Sequence, residues 1–194
     1  MLAGFETTST FLAYSTYILA TRSDIQNKLQ IEIDENWKED EELDYDKIAE
    51  MQYMDLFVRE VLRMYRSSGR ASTRLCNKAT TVCGHQIDEG SVILPDVPSI
   101  HYNVDLWGPD DPNLFVPERH NIKRHPLAYM PFGIGPRNCV GMRFALMELK
   151  MCLTRVLHTY NILPGQKLEI GMNRREAFIV TPEAIFIRLE KREN

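Results

Sequence analysis

The sequence predicts a mainly α-helical fold with a minor β component, and three observations carry that expectation. Apolar residues recur at spacings of three and four before residue 66 and again after residue 140, the period of an amphipathic helix. Between these parts lie short runs rich in Thr and Val with turn residues, the signature of small hairpins. The stretch from Asn103 to Pro131 holds several prolines and follows no period, so it reads as a long irregular segment of the kind that usually has a task. No internal repeat or domain linker interrupts residues 1–194.

Met1, Leu2, Phe5, Leu12 and Leu19 fall on related faces of a first helix over about residues 1–20. No Ser, Asp or Pro precedes it, so the chain is expected to start inside a helix. Asp24 can cap a second helix running to about Trp37, and KEDEELDYD after it reads as a solvated loop and the next cap. A third helix is expected from about Met51 to Tyr65. The DEG turn at Asp88 to Gly90 and apolar Val92, Ile93 and Leu94 then suggest hairpins. From Gly141 to Tyr160, apolar Phe144, Leu146, Met147, Leu149, Met151, Leu153, Val156 and Leu157 predict the last helix. Ile162 to Glu190 reads as loops with short strands, notably AIFIRLE.

Composition excludes several function classes. With 26% charged and 44% hydrophobic residues the chain has ordinary globular texture. A formal net charge of -4 provides no electrostatic footprint for nucleic acid. No apolar run approaches the roughly 18 residues needed to span a bilayer, and MLAGFETTST lacks the basic and apolar parts of a signal peptide. Cys76, Cys83, Cys139 and Cys152 form no CxxC pair, which fits reduced thiols in a cytosol-facing protein. The five histidines make no HExxH, and neither a GxSxG elbow nor a Walker loop occurs.

The chemistry-bearing stretch is FGIGPRNCVG, Phe132 to Gly141. Its glycines allow tight bends and close approach of a flat ligand, and Arg137 offers a fork of donors suited to a carboxylate. Cys139 is expected at the N-terminus of the helix that follows, where unpaired amides and the dipole favour thiolate over thiol. Three further motifs are individually weak. Glu60 and Arg63 stand three apart on one helix face, PERH occupies Pro117 to His120, and AGFETT at Ala3 to Thr8 places a glycine and two threonines inside a helix.

Together and in this order, these four motifs resemble the cytochromes P-450, the haem-thiolate monooxygenases. FGIGPRNCVG fits the family's F-x-x-G-x-R-x-C-x-G signature, and ExxR, PER and AGxETT accompany it. The resemblance runs from Met1 to the C-terminus and is nearest to animal microsomal members. It implies that residues 1–194 are the C-terminal portion of a single cytochrome P-450 domain, with the N-terminal part, including any membrane anchor, missing.

The resemblance also assigns roles. Cys139 would be the proximal thiolate on the iron of haem b, a ligation that favours O–O cleavage. Phe132 would shield the sulfur, and Gly133, Gly135 and Gly141 would admit the porphyrin. Arg137 and Arg74 would pair with its propionates, while Glu60, Arg63 and Arg119 would form a buried triad locking the irregular segment. Glu6 and Thr7 would lie over the opposite face, Thr7 holding oxygen and Glu6 relaying protons. Ser67, Ser68, Gly69, Ala177, Phe178 and Ile179 should approach the substrate.

The implied partners are dioxygen, a small apolar substrate and a flavoprotein NADPH-cytochrome reductase, with cytochrome b5 as an optional second donor. The parent's expected location is the cytosolic face of the endoplasmic reticulum membrane. Two rival readings stay open: a truncated, non-catalytic haem-binding fragment, and a haem-thiolate isomerase or dehydratase. Two positions depart from the family pattern: His120 replaces the usual aromatic after PER, and Arg66 stands where a proline often follows the ExxR helix.

Overall fold

The computed structural model describes residues 2–37, 44–65, 73–166, 168, 174–176 and 180–193. Helices dominate, as the spacing predicts. Helix α1 spans Leu2–Thr21, α2 Ser23–Asn36, α3 Tyr45–Glu50 and α4 Gln52–Met64. Two short helices, α5 Val97–His101 and α6 Val104–Trp107, precede the long α7 at Met142–Thr159. The apolar faces of α1, α2, α4 and α7 close over one core: Tyr14, Ile18 and Leu19 meet Ile25, Leu29 and Ile33, then Phe57, Val61 and Leu62, and Leu149, Leu153 and Leu157. Each aliphatic side chain buried this way contributes about 1.5–3 kcal/mol, so burial and not intrinsic propensity holds these helices.

Two details of the helix ends differ from expectation. Helix α2 starts two residues early, with Arg22 at the cap position, and Asp24 lies inside the first turn. The Asp24 carboxylate accepts from Arg22 Nε and Nη2 at 3.0 and 2.9 Å, so it complements the dipole and the guanidinium from inside the first turn. Residues 38–43 of the acidic stretch lie outside the described residues, but Asp44 caps α3 by accepting from the Asp46 amide at 2.9 Å. That six-residue helix is too short to show a period in sequence.

The β component consists of antiparallel pairs. Strands β1 (Arg74–Leu75) and β4 (Val92–Ile93) pair with each other, as do β2 (Thr80–Val82) and β3 (His85–Ile87). Cys83 and Gly84 close the β2–β3 hairpin with φ of 50° and 83°, the left-handed pair of a two-residue primed turn. The Asp88–Gly90 turn therefore does not close a hairpin. It leads the chain back to β1, and Gly90 donates its amide to the Cys76 carbonyl at 2.8 Å.

Strand β5 (Tyr160–Pro164) pairs with β8 (Ile187–Lys191), and β6 (Arg174–Glu176) with β7 (Val180–Pro182). Buried Gln26 pins α2 to this end of the molecule: its amide nitrogen donates to the Leu19 and Ile162 carbonyls, and its oxygen accepts from the Ile162 amide at 2.7 Å.

The irregular segment keeps little regular structure beyond α6 and two 3-10 turns, Pro117–Asn121 and Pro126–Ala128. Backbone carbonyls there have no ladder to join, and buried ones need donors. Three arginines supply them. Arg63 donates to the carbonyls of His101 and Pro112. Arg119 donates to those of Trp107, Asp110, Asp111 and Leu114. Arg124 serves Leu106, Trp107, Gly108 and Arg119, and its guanidinium lies 4.9 Å from the Trp107 ring centroid.

Candidate functional site

The loop between Phe132 and Gly141 is a sequence of tight bends that ends with a thiol at the surface. The Gly133 amide returns to the Met130 carbonyl at 3.1 Å and the Asn138 amide to the Gly135 carbonyl at 3.1 Å. Gly133 and Gly135 hold φ of 73° and 78°, a region that penalises a residue bearing Cβ. The Cys139 amide donates to the Phe132 carbonyl at 2.9 Å, which closes the loop and fixes where the sulfur emerges. Cys139 is a free, exposed thiol. Helix α7 begins at Met142 behind Gly141, so the cysteine sits two residues ahead of the cap and not within the first turn.

Around the sulfur the surface is unusually apolar. Val140 is fully exposed, and Ile134 and Phe144 are also exposed, whereas Phe132 packs partly buried against the core. A Cβ added at Gly135 or Gly141 would meet nothing within 4 Å, so the loop presents open space on that side. Arg137, in the 3-10 turn Gly135–Arg137, is exposed beside it.

Behind this loop the fold buries a carboxylate. Glu60, on α4, is 0% exposed, and Arg63 and Arg119 are each 1% exposed. Arg63 grips Glu60 with two parallel bonds, Nε to Oε2 and Nη2 to Oε1, both 2.8 Å. Arg119 Nε donates to Oε1 at 2.9 Å and the Val116 amide to the same oxygen at 3.1 Å. His120 Nε2 lies 3.0 Å from Oε2.

Burial alone would raise the Glu60 pKa, but the hydrogen bonds from Arg63 and His120 outweigh it and hold the carboxyl down at about 2. Burial also lowers the His120 pKa, more than Glu60 raises it. A neutral ring then donates its Nε2 proton to the carboxylate.

The structure brings Glu60, Arg63 and Arg119 into one cluster and adds His120 to it. The imidazole that departs from the family's aromatic is therefore an active member. His120→Phe should cost about 0.5–1.5 kcal/mol of folding free energy, one hydrogen bond to a carboxylate that keeps its other donors. Urea denaturation at neutral pH checks this, and an unchanged midpoint would remove His120 from the cluster's energetics.

Arg74 is exposed on β1, with Nη1 donating to the neighbouring Thr73 carbonyl at 3.1 Å. Glu6 is exposed and Thr7 half-buried near the start of α1. Helix α1 does pack on α7, the helix that follows Cys139. Ser67, Ser68, Gly69, Ala177, Phe178, Ile179 and Arg66 lie outside the described residues. His101, which sequence reasoning missed, is 2% exposed and bonds both α4 and the approach to the loop. Its only sequence signal is position, three residues after a proline in a segment without period.

A mostly helical fold carrying an exposed cysteine on a glycine-bent loop, backed by a buried Glu–Arg–Arg cluster, is that of a haem-thiolate protein. The family model for cytochrome P-450 matches residues 1–189, and the chain belongs to that family of haem-thiolate monooxygenases. It is 38% identical over 198 residues to cytochrome P-450 3A12 of Canis lupus familiaris, covering 100% of this chain and 39% of the dog protein. To CYP13A4 of Caenorhabditis elegans it is also 38% identical, over 100% of this chain and 38% of that protein. Cytochrome P-450 3A19 of Capra hircus aegagrus is 39% identical over 187 residues, 94% of this chain and 84% of the goat sequence.

The chain thus spans 38% of the length of the nematode relative and 39% of that of the dog relative. Among the described residues no helix is long and apolar enough to cross a membrane. The family's cofactor is haem iron held by a cysteine thiolate. The loop fits that group: a soft sulfur donor stands at the surface, apolar Ile134, Val140 and Phe144 flank it, and open space lies over Gly135 and Gly141.

Proposed function

We propose that this chain supplies the cysteine-ligand part of a haem-dependent monooxygenase acting on a small apolar substrate. Cys139 Sγ would hold the iron of haem b, Phe132 would flank the sulfur, and Gly133, Gly135 and Gly141 would leave room for the macrocycle. Arg137 and Arg74 would neutralise its carboxylates. When bound, haem supplies dioxygen activation and insertion of one oxygen atom into the substrate, with two electrons from NADPH.

The chain's own residues perform the remaining tasks. Glu60, Arg63 and Arg119 keep the segment behind the loop in one shape. Thr7 offers a hydroxyl on the oxygen side, and Glu6, exposed on the same helix, exchanges protons with solvent. Electrons would come through a flavoprotein NADPH-cytochrome reductase, with cytochrome b5 as a second donor, at the cytosolic face of the endoplasmic reticulum membrane.

The observation that carries this reading is the Cys139 loop, closed by the Cys139–Phe132 backbone bond with its thiol exposed. The test is optical. The protein reduced and treated with carbon monoxide should show the red-shifted Soret band of thiolate ligation, and Cys139→Ser should abolish it while haem itself can remain. A thiolate band that survives the substitution sinks the assignment.

A further inference from the structure

We propose that His101 is a positioning residue that clasps the ExxR helix to the irregular segment leading into the cysteine loop, acting as a neutral imidazole with its proton on Nδ1. The inference rests on the reading of Cys139 as the iron ligand, and its geometry is independent of it. Nε2 of His101 lies 3.0 Å from the Met130 backbone nitrogen. A backbone N–H can only donate, so Nε2 must carry a lone pair. Nδ1 lies 3.1 Å from the Arg63 carbonyl oxygen, which can only accept, so Nδ1 must carry the proton. One tautomer satisfies both partners.

The bond is reciprocal, because Arg63 Nη1 donates to the His101 carbonyl at 2.7 Å. The ring is held on its faces as well, stacked on Tyr129 at 5.8 Å between centroids and edge-on to Trp107 at 6.3 Å. From the clasp, a short run of bonds leads to the thiol. The Met130 carbonyl accepts the Gly133 amide at the first bend, and the Cys139 amide returns to Phe132 between them. The residue that grips Glu60 therefore also sets, through His101, where the cysteine loop begins. Burial drives the ring's pKa down, keeping it neutral near neutral pH.

Two substitutions separate this role from mere core packing. Glutamine can place an acceptor near the Nε2 position, and asparagine can place a donor near Nδ1 but reaches no further. In the haem-loaded protein, His101→Asn should speed hydrogen exchange at the Met130 amide about tenfold, as expected when one hydrogen bond is lost. It should also hasten loss of the thiolate Soret band in the ferrous carbon monoxide complex, and His101→Gln should restore both towards the unsubstituted protein.

If the two variants behave alike, whether both intact or both disturbed, the clasp is overturned. A measurement on the unsubstituted protein guards against misfolding: nitrogen-15 NMR of its histidines should show His101 protonated at Nδ1, and the opposite tautomer overturns the proposal. Absence of the thiolate band in the unsubstituted protein would instead count against Cys139 as ligand, while the Met130 exchange and the tautomer still decide the clasp.

Discussion

Glu60→Gln lowers folding stability by about 3–5 kcal/mol, the cost of leaving buried charge without its partner. The amide keeps one acceptor and turns a pair of donor hydrogens towards Arg63, where the carboxylate had accepted two parallel bonds at 2.8 Å. Arg63 and Arg119, each 1% exposed, would then share a dry site with only carbonyls to offset two positive charges. The damage spreads because these guanidinium groups also hold the 107–114 backbone. Chemical denaturation should show the loss, and haem retention should fall with it. A change under about 1 kcal/mol would mean that the carbonyls suffice and that the carboxylate's charge is dispensable.

Acid should unfold the protein in two stages with distinct owners. His101 is pushed by burial from its ordinary 6.5 to about 4, so it must charge on unfolding. Its folded pKa is depressed, so its contribution is whole above pH 6.5 and is lost as pH falls towards 4. His120 is lowered in the same direction, again by burial first, and adds to this stage. Glu60 goes from 4.5 to about 2, so its contribution is whole above pH 4.5 and disappears as pH falls towards 2. For His101 and Glu60 a shift of this size corresponds to about 3 kcal/mol each. Urea midpoints measured from pH 7 down to pH 3 should fall in both windows, and Glu60→Gln should flatten the lower one. Constant stability between pH 7 and pH 4 would show that His101 is not held neutral by the fold.

How much of this was legible in the sequence depends on how far apart the partners lie. Helices α1, α4 and α7 announce themselves because Ile18, Val61 or Leu153 repeats a local period that one core then buries. Glu60 and Arg63 were legible as neighbours on a helix face, but nothing local tells a buried pair from an exposed one. Only the family resemblance brought in Arg119, 59 positions from Glu60. His120 and His101 escaped because their partners are 60 and 38 residues away and leave no trace in spacing. Position also misled: Asp88–Gly90 has better turn chemistry than Cys83–Gly84, yet the tighter pairing of β2 with β3 assigned the hairpin to the latter.

The arginine-held segment has a consequence for how the chain can vary. Arg63 and Arg119 read the segment by its peptide carbonyls at Trp107, Asp110, Asp111, Pro112 and Leu114, and not by its side chains. Asp110 and Leu114 turn their side chains to solvent. What is specified there is a contour, so those surface positions are free to drift in identity as long as the backbone still delivers its oxygens to two fixed cations. Natural variation can therefore accumulate on the outer surface of this segment without disturbing the thiol in front of it.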